Sequence, residues 1–535
     1  MENWYSDNGD GTYTNPVLYT DYSDPDAIRV GDDYYMVASS FCNTPGLPIL
    51  HSKDMVNWTL INYALENIPY ERYKKPMHGC GVWAPAIRYF GEEFVIFFPM
   101  PDEGIFVTKA KDPADEWSEP VAVFEGKGWI DPCPFIDDDG KAYMVNAFAR
   151  SRIGFKSVLQ IVPLSSDLTK MAGEPVRVFD GNTTGQDTIE GPKLYKRNGW
   201  YYIFAPAGGV KQGWQTVLRS KNIYGPYEFR NVMEQKDTDI NGPHQGAWVD
   251  TPDGSDYFIH FQDVYAAGRI IHVQPMRWEN DWPIIGEAMP GEICGKPVTT
   301  DVKPVQTAEN IEIFAPDTSD EFEENYYGLQ WQWNANHEDD WAVPDESTSS
   351  VILKSVPAAD SISDQPNLFL QKWPMPEFSA VTSLSLKDLQ DGDEAGIVNM
   401  GVAYAALSVL YEGGKYVLRS ISGEQKFSGE VASATDEIKV VNSDFSFEND
   451  NKEIFFKYTV TRVMPTETNT DGKFEFPIPR EIVALSYSLD GHNFKPAHTL
   501  YAQAGRWVGV KCGIYVRNML GKEGGCLRSN YFVFE

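Results

Sequence analysis

Gly31-Asp32-Asp33-Tyr34-Tyr35-Met36-Val37 decides the fold, because the chain writes this segment five times. The other copies are Gly91-Glu92-Glu93-Phe94-Val95-Ile96-Phe97, Asp139-Gly140-Lys141-Ala142-Tyr143-Met144-Val145, Asn198-Gly199-Trp200-Tyr201-Tyr202-Ile203-Phe204 and Gly254-Ser255-Asp256-Tyr257-Phe258-Ile259-His260. Each is a turn rich in Gly, Asn and Asp that feeds an aromatic, β-branched run, which is hairpin chemistry. The copies recur every roughly 50–60 residues, a spacing that suggests four-stranded propeller blades. The innermost strands of a propeller point at one axis, so equivalent positions in different blades face each other. Just upstream of the copies lie Asp24-Pro25, Ala84-Pro85, Asp131-Pro132, Glu190-Gly191-Pro192 and His244-Gln245. Three acids and a histidine, far apart in sequence, are therefore expected in one pocket, with His244 taken as the fifth repeat's equivalent position.

The chain has 535 residues, too many for one core and comfortable for two or three domains. Hydrophobic residues make up 42% and aromatic residues 13%, the composition of a globular protein rich in rings. A net charge of −32 repels nucleic acid and anionic membrane, so neither is an expected partner. The charge serves solubility first. It is compatible with a neutral substrate such as a sugar and incompatible with a polyphosphate. Cysteines stand at 42, 80, 133, 294, 512 and 526 with no C-x-x-C pair, so they read as mostly free and buried, and zinc is unsupported. No apolar run approaches membrane-spanning length. The start, Met1-Glu2-Asn3-Trp4-Tyr5-Ser6-Asp7, is polar and lacks a signal peptide, which reads as cytoplasmic. A periplasmic or secreted chain whose leader had been removed would read the same.

Outward from the repeats, residues 1–300 are expected to form a five-bladed β-propeller. The segments beginning at His51, Thr108 and Arg219 follow the core strands at similar intervals and read as outer strands of successive blades. The Pro/Thr/Lys-rich stretch Lys296–Pro304 reads as a linker. Beyond it the repeat vanishes. Residues 311–535 carry many short strand-like runs with polar turns, such as Ala395–Met400 and Glu481–Tyr487, and suggest a β-sandwich. Tyr531-Phe532-Val533-Phe534 would add an edge or return strand. The whole chain is thus expected to be all-β.

Cleaving a glycosidic bond takes two carboxyl groups, one to protonate the leaving oxygen and one to activate water or attack the sugar. Asp24, Asp131 and Glu190 are the candidates. A single Asp-Pro is only a turn former; three acids near the same place in five repeats are a pattern. A third acid close by would raise the pKa of the general acid through like-charge repulsion. Phe41, Trp83 and Trp129 fall near the inner strands, where sugar rings stack on aromatic faces. Arg269, after Ala267-Gly268, is placed to bond sugar hydroxyls. There is no G-x-S-x-G elbow and no H-E-x-x-H. Gly79-Cys80-Gly81-Val82-Trp83-Ala84 matches G-x-G-x-x-A, but Pro85 and a strand follow it instead of a helix, so it is not a dinucleotide loop.

At these residues the chain resembles glycoside hydrolase family 43. Asn15-Pro16-Val17-Leu18 with Ser23-Asp24-Pro25-Asp26-Ala27-Ile28-Arg29 looks like the opening motif of that family, whose Asp is the general base; this maps onto Asp24. The segment from Ile130 to Gly140 is similar to the one whose Asp tunes the acid, which maps onto Asp131. Ile189-Glu190-Gly191-Pro192-Lys193 is similar to the general-acid motif, which maps onto Glu190. The resemblance implies that Phe41 and Gly81-Val82-Trp83-Ala84-Pro85 form substrate walls, that Arg269 binds the terminal sugar and that His244 lies near an axial calcium. Ser319-Asp320-Glu321-Phe322 and Gly328–Asn334 look like the concanavalin-like, lectin-like sandwich of the β-xylosidase and α-L-arabinofuranosidase branch. In such relatives the sandwich pushes an aromatic into the active-site rim, and Gly505-Arg506-Trp507-Val508-Gly509 is the matching segment, with Trp507 as the ring.

The leading expectation is therefore an inverting exo-glycosidase that removes terminal non-reducing α-L-arabinofuranose, β-D-xylose or both from hemicellulose oligosaccharides. The alternatives are an endo-acting arabinanase- or xylanase-type hydrolase and a carbohydrate-binding protein without catalysis. An invertase-like fructosidase is disfavoured, since neither an Asn-Asp-Pro-Asn nor an Arg-Asp-Pro motif is present.

Overall fold

The computed structural model describes residues 4–306, 312–443, 447, 452–464 and 480–535. Five four-stranded antiparallel sheets follow one another along the first part of the chain, numbered here as blades I to V. Their first strands are Asp26–Val30, Ala86–Phe90, Trp129–Ile136, Lys193–Arg197 and His244–Asp250. Their second strands contain the five hairpin copies: Asp33–Val37, Glu93–Met100, Ala142–Phe148, Trp200–Ala207 and Asp256–Asp263. Each blade packs on the next, and blade V packs on blade I, so the ring closes. A blade is covered on both faces, so its second strand has little use for polar alternation; all seven residues of Ala142–Phe148 are buried. Between blades I and II, Val37 and Ile49 pack with Ile96 and Phe98. Each such side chain contributes about 1.5–3 kcal/mol when fully buried.

Two readings of local sequence are corrected by the strands. The segments at His51, Thr108 and Arg219 are not outer strands. They end the third strands Gly46–Ser52, Gly104–Ala110 and Trp214–Ser220 and turn into the fourth. Their Ser, Asp and Asn side chains cap the turn, as where Asp54 Oδ1 accepts from the backbone of Val56 and Asn57 at 2.9 and 2.8 Å. The linker stretch also does more than connect. Thr300–Val302 pairs with Thr12–Thr14 in a two-stranded ribbon that joins the two ends of the propeller segment. Lys303 then buries its amine between Asp7 and Asp54. Residue 311, the expected start of the second unit, lies outside the described residues.

The second unit packs two sheets face to face. One runs Gln332–Trp333, Phe369–Lys372, Lys511–Asn518, Asp393–Met400, Ala403–Glu412, Lys415–Glu424, Glu437–Asn442, with Val356–Pro357 parallel to Lys511–Asn518. The other runs Ala342–Asp345, Ser350–Lys354, Cys526–Phe534, Phe378–Ser385, Glu453–Val463, Arg480–Ser488, Lys495–Tyr501. Trp331, Trp333, Phe369, Trp373 and Tyr458 fill the space between them. The C-terminal strand is interior, not an edge: it sits between Ser350–Lys354 and Phe378–Ser385. Leu527 and Phe532 are 0% and 1% exposed.

The sandwich is fastened to the propeller by backbone and amide bonds. Trp333 donates its N–H to Thr44 O at 2.6 Å, Asn43 Nδ2 donates to Trp333 O at 3.0 Å, and Tyr63 donates its hydroxyl to Leu329 O at 2.8 Å. Gly509 N donates to Asp21 Oδ2 at 2.9 Å, and Val510 N to Ala266 O at 2.9 Å. These last two lay the 505–510 loop beside the propeller axis.

Candidate active site

The inner-strand register sorts the upstream residues into two positions. Asp24, Asp131, Gly191 and Gln245 share a left-handed backbone, with φ of 56°, 54°, 58° and 37°. Asp and Gly tolerate this region better than most residues. Asp24, Asp131 and Gly191 each stand two residues before the residue that pairs with the same position of the hairpin copy, Asp26↔Val37, Cys133↔Val145 and Lys193↔Phe204. Glu190 stands one residue earlier than Gly191. In blade V that position, two before the Gly246↔His260 pair, is His244, as the sequence suggests, and the left-handed φ falls instead on the bulged Gln245.

The three acids nevertheless meet. Asp24, Asp131, Glu190 and His244 line one cavity of about 290 Å³, together with Phe41, Trp83, Phe148, Arg269 and Trp507. Arg269 Nη1 donates to Asp24 Oδ1 at 2.6 Å. Ser39 and Ser23 donate to Asp24 Oδ2 at 2.7 and 3.0 Å. Arg269 is itself held over the Phe261 ring at 4.7 Å, and its backbone N–H bonds Asp21 Oδ1 at 2.8 Å. Asp24 is therefore fixed from three sides.

Asp131 is 4% exposed. Burial first, and then the charge of Glu190, push its carboxyl up to about 7, while the Gly191 N–H that it accepts at 2.7 Å pulls the other way. It is thus a carboxyl that keeps its proton up to about neutral pH. Its bond to Gly191 also fixes the backbone next to Glu190. Glu190 Oε1 lies 3.1 Å from His244 Nε2. Below them Lys193 is fully buried and donates to Pro85 O at 3.0 Å.

The aromatic wall comes from both units. Phe41 has φ 53° and pairs with Val82 as an isolated bridge. A side chain at Gly81 would place its Cβ 2.2 Å from Phe41 O, so only glycine lets the two segments meet. Trp83 donates its indole N–H to Gly79 O at 3.2 Å. Trp507 reaches in from the sandwich and meets Trp83 edge-on, 4.8 Å between centroids at 68°. Trp129 does not reach the cavity. It is stacked on Phe124 at 3.9 Å and 14°, and turns an edge to Phe148, which does line the site. A break in register between Ile130 and Cys133 is the reason: Trp129 pairs in the sheet with Phe148, whereas Asp131 leaves the ladder. Ser23, Ser39, Gln245, Phe148 and Lys193 were not singled out by sequence. Ser23 and Lys193 flank the acid motifs directly; Phe148 ends a second strand, Ser39 lies two residues beyond one, and neither carries a motif.

For an axial calcium, the test is the donor set. His244 Nδ1 and Gln245 Nε2 are buried and without a hydrogen-bond partner, so there is a polar cradle. Calcium takes about six to eight oxygens, usually with carboxylates among them. Among the described residues no group of three or more His, Cys, Asp or Glu converges as a metal set. One imidazole nitrogen and one amide do not fit a protein-built calcium site, and no chemical step is derived through one.

Residues 13–283 match the family described as glycosyl hydrolases family 43, and residues 319–535 match the β-xylosidase C-terminal concanavalin A-like domain. A putative β-xylosidase of Xylanibacter ruminicola is 36% identical over 518 residues, 95% of this chain and 87% of that one. A non-reducing end α-L-arabinofuranosidase of Bacteroides ovatus is 28% identical over 411 residues, 72% of this chain and 73% of that one. The crystal structure of a family 43 protein of Bacillus licheniformis aligns with a TM-score of 0.77 at 25% identity, over 98% of this chain and 99% of that one. Matched in both its propeller and its sandwich, the chain belongs to glycosyl hydrolase family 43 and is a glycoside hydrolase.

Proposed function

We propose that the enzyme is an inverting exo-glycosidase that releases terminal non-reducing β-D-xylose, α-L-arabinofuranose or both from hemicellulose oligosaccharides. One observation carries this reading: three carboxyls and Arg269 converge in a cavity of about 290 Å³ whose outer wall is Trp507 of the second unit. Ligand pockets commonly span about 300–1,000 Å³, so this one suits a single sugar ring. The names of relatives support pentoses, since they include both a putative β-xylosidase and an α-L-arabinofuranosidase.

The roles are those that the family resemblance implies, and the contacts of each acid support them. Asp24, held by Arg269 and two hydroxyls, is the base that takes a proton from the attacking water. Glu190, across the axis in blade IV, gives a proton to the glycosidic oxygen. Asp131 keeps a proton beside Glu190 and anchors Gly191, so it sets the field and the backbone of the acid. Arg269 faces both Asp24 and the sugar, which aligns the ring with the water. Phe41 and Trp83 offer the ring their faces. An endo-acting cleft would leave both ends of the cavity open, and the Trp83–Trp507 contact closes one.

The test is initial rates on 4-nitrophenyl β-D-xyloside and α-L-arabinofuranoside, wild type beside Glu190→Ala, with proton NMR of the first-formed sugar. Release of either pentose with inverted anomeric configuration, mostly lost in the variant, supports the proposal. No release from either substrate by a folded wild type, or retention of configuration, overturns it.

A further inference from the structure

We propose that Glu430, at the tip of a hairpin in the sandwich, is a positioning residue that sets the outer wall of the sugar pocket by clamping Arg152 beneath Trp83. The inference rests on the exo-acting pocket proposed above and assigns a residue to it.

Lys426–Ser428 and Val431–Ser433 form a two-stranded ribbon that joins neither sheet of the sandwich. Such a ribbon is marginal alone in water and needs an anchor. Its tip, Gly429-Glu430, crosses to the propeller. Glu430 Oε1 lies 2.9 Å from Arg152 Nε, and the Arg152 side chain is completely inaccessible. Arg152 belongs to the four-residue helix Arg150–Ile153, which leaves the second strand of blade III just after Phe148. The same Nε is 3.1 Å from Asp102 Oδ1, and Nη2 is 3.2 Å from Asp102 Oδ2 and 3.6 Å from Cys80 Sγ. The Nε–H is donated to Asp102, and Glu430 closes on the same nitrogen as an ion pair, so carboxyls from two domains meet at one buried guanidinium. Arg72 at 3.3 Å and Lys127 at 3.9 Å add their charges on the Asp102 side.

The clamp bears on the pocket because the Arg152 guanidinium sits 5.0 Å from the Trp83 ring centroid. A desolvated cation over tryptophan is among the stronger ring contacts. A second arm runs beside it. Arg506 Nη1 donates to Gly429 O at 2.6 Å and lies against Phe427 at 5.0 Å and Trp507 at 4.6 Å. Arg506 passes so close over Gly79 that a Cβ there would be 2.7 Å from its Cδ, and Gly79 O is the acceptor for the Trp83 indole. The contacts therefore close a circuit: Trp83 to Arg152, Arg152 to Glu430, Gly429 to Arg506, Arg506 to Trp507 and Trp507 back to Trp83. The circuit crosses the domain seam at both Glu430 and Trp507. Its two tryptophans form the rim, past which the leaving sugar of an oligosaccharide must lie. Glu430 is not among the residues that line the cavity of Asp24, Asp131 and Glu190.

Loss of Glu430 should therefore weaken recognition of what lies beyond the first sugar and spare the first sugar itself. The experiment compares wild type, Glu430→Ala and Glu430→Gln on xylobiose and on 4-nitrophenyl α-L-arabinofuranoside, with free xylose and arabinose as inhibitors and with thermal midpoints recorded. In Glu430→Ala the KM for the two substrates rises about tenfold, kcat stays within about twofold and the inhibition constants of the free pentoses stay within about twofold. Glu430→Gln keeps an acceptor for Arg152 and recovers part of the loss. An unchanged KM in Glu430→Ala overturns the proposal. So does a parallel rise in KM and in pentose inhibition constants with a lower midpoint, which is what general loosening gives. A wild type that turns over neither substrate fails the proposed function instead. The clamp is then read from tryptophan fluorescence during xylobiose titration, where a Kd unchanged by Glu430→Ala overturns it and a rise of about tenfold upholds it.

Discussion

Asp131→Asn should stabilise the propeller and disable the enzyme together. The carboxyl is buried beside two other acids, and its pKa stands at about 7 in place of 3.8. Below about pH 4 both folded and unfolded chains carry the proton, and burial of this group costs nothing extra. Between pH 4 and 7 the folded state keeps a proton that the unfolded chain has released, so stability falls as pH rises. Above pH 7 the full cost is present. At about 1.4 kcal/mol for each tenfold change in proton affinity, that cost is about 4 kcal/mol as a ceiling. Asparagine removes it and still offers an oxygen to the Gly191 N–H, although the bond loses its charge and about 1 kcal/mol with it. The net gain is then about 2–3 kcal/mol at pH 8 and well under half of that at pH 5.

The assay is thermal and urea unfolding of wild type and Asp131→Asn at pH 5 and pH 8, followed by tryptophan fluorescence and read for the propeller transition. A gain of a few degrees at pH 8 that shrinks at pH 5 is expected, at about 2–4 °C per kcal/mol for domains of 150–250 residues. Catalysis should fall about 10²–10⁴-fold, because the proton and the anchor beside Glu190 are both altered. An equal gain at both pH values, or a loss of stability at pH 8, would refute the account of Asp131 as a carboxyl held against its own ionisation.

Arg88→Ala should cost about 3–5 kcal/mol, because Arg88 Nη1 pairs with the inaccessible Asp26 at 2.6 Å and its loss leaves a bare buried charge. Urea unfolding should show it, and adding Asp26→Asn should recover a large part; a cost under about 1 kcal/mol would mean that water or another cation reaches Asp26. Lys372→Met should raise stability at neutral pH. Burial at the domain seam pushes the Lys372 amine down to about 7 from 10.5, so the unfolded chain binds more protons between those values and this residue makes wild-type stability rise with pH there. The variant should flatten that slope between pH 7 and 10, and an unchanged slope would sink the assignment. Treatment with EDTA should leave initial rates unchanged, since among the described residues no carboxylate cage surrounds His244; a loss reversed by calcium would show an ion bound through water.

What was legible in the sequence was whatever repeats or sits in a local motif. The five hairpins place Asp24, Asp131 and Glu190 near one axis because a blade's geometry is the same each time it is written. The exact register was not legible for the acid of blade IV, since Glu190 stands one residue before Gly191, and only the ladder shows that Gly191 holds the position of Asp24 and Asp131. Trp129 was misplaced for a related reason: period-two alternation puts it on the same side as Asp131, and the bulge between them breaks the alternation. The C-terminal strand was misread because order along the chain says nothing about order across a sheet. Phe148 and Ser39 carry no motif at all.

Contacts across the seam were the least legible, and they bear most on the pocket. Asp21 has no motif beyond its closeness to Asp24, yet its two oxygens bond Arg269 N at 2.8 Å and Gly509 N at 2.9 Å. One carboxylate therefore sets both the strand that carries the Asp24 partner and the loop that carries Trp507. The two residues it joins are 240 positions apart in sequence. No local pattern encodes such a pairing, because neither half of it has a preference until the other is in place. The sandwich is for this reason part of the active site and not a separate module. Its 505–510 loop and its 426–433 hairpin shape the space beyond the first sugar, while the propeller alone holds the acids. Variation in these two segments can then alter which oligosaccharide is accepted without moving a carboxyl.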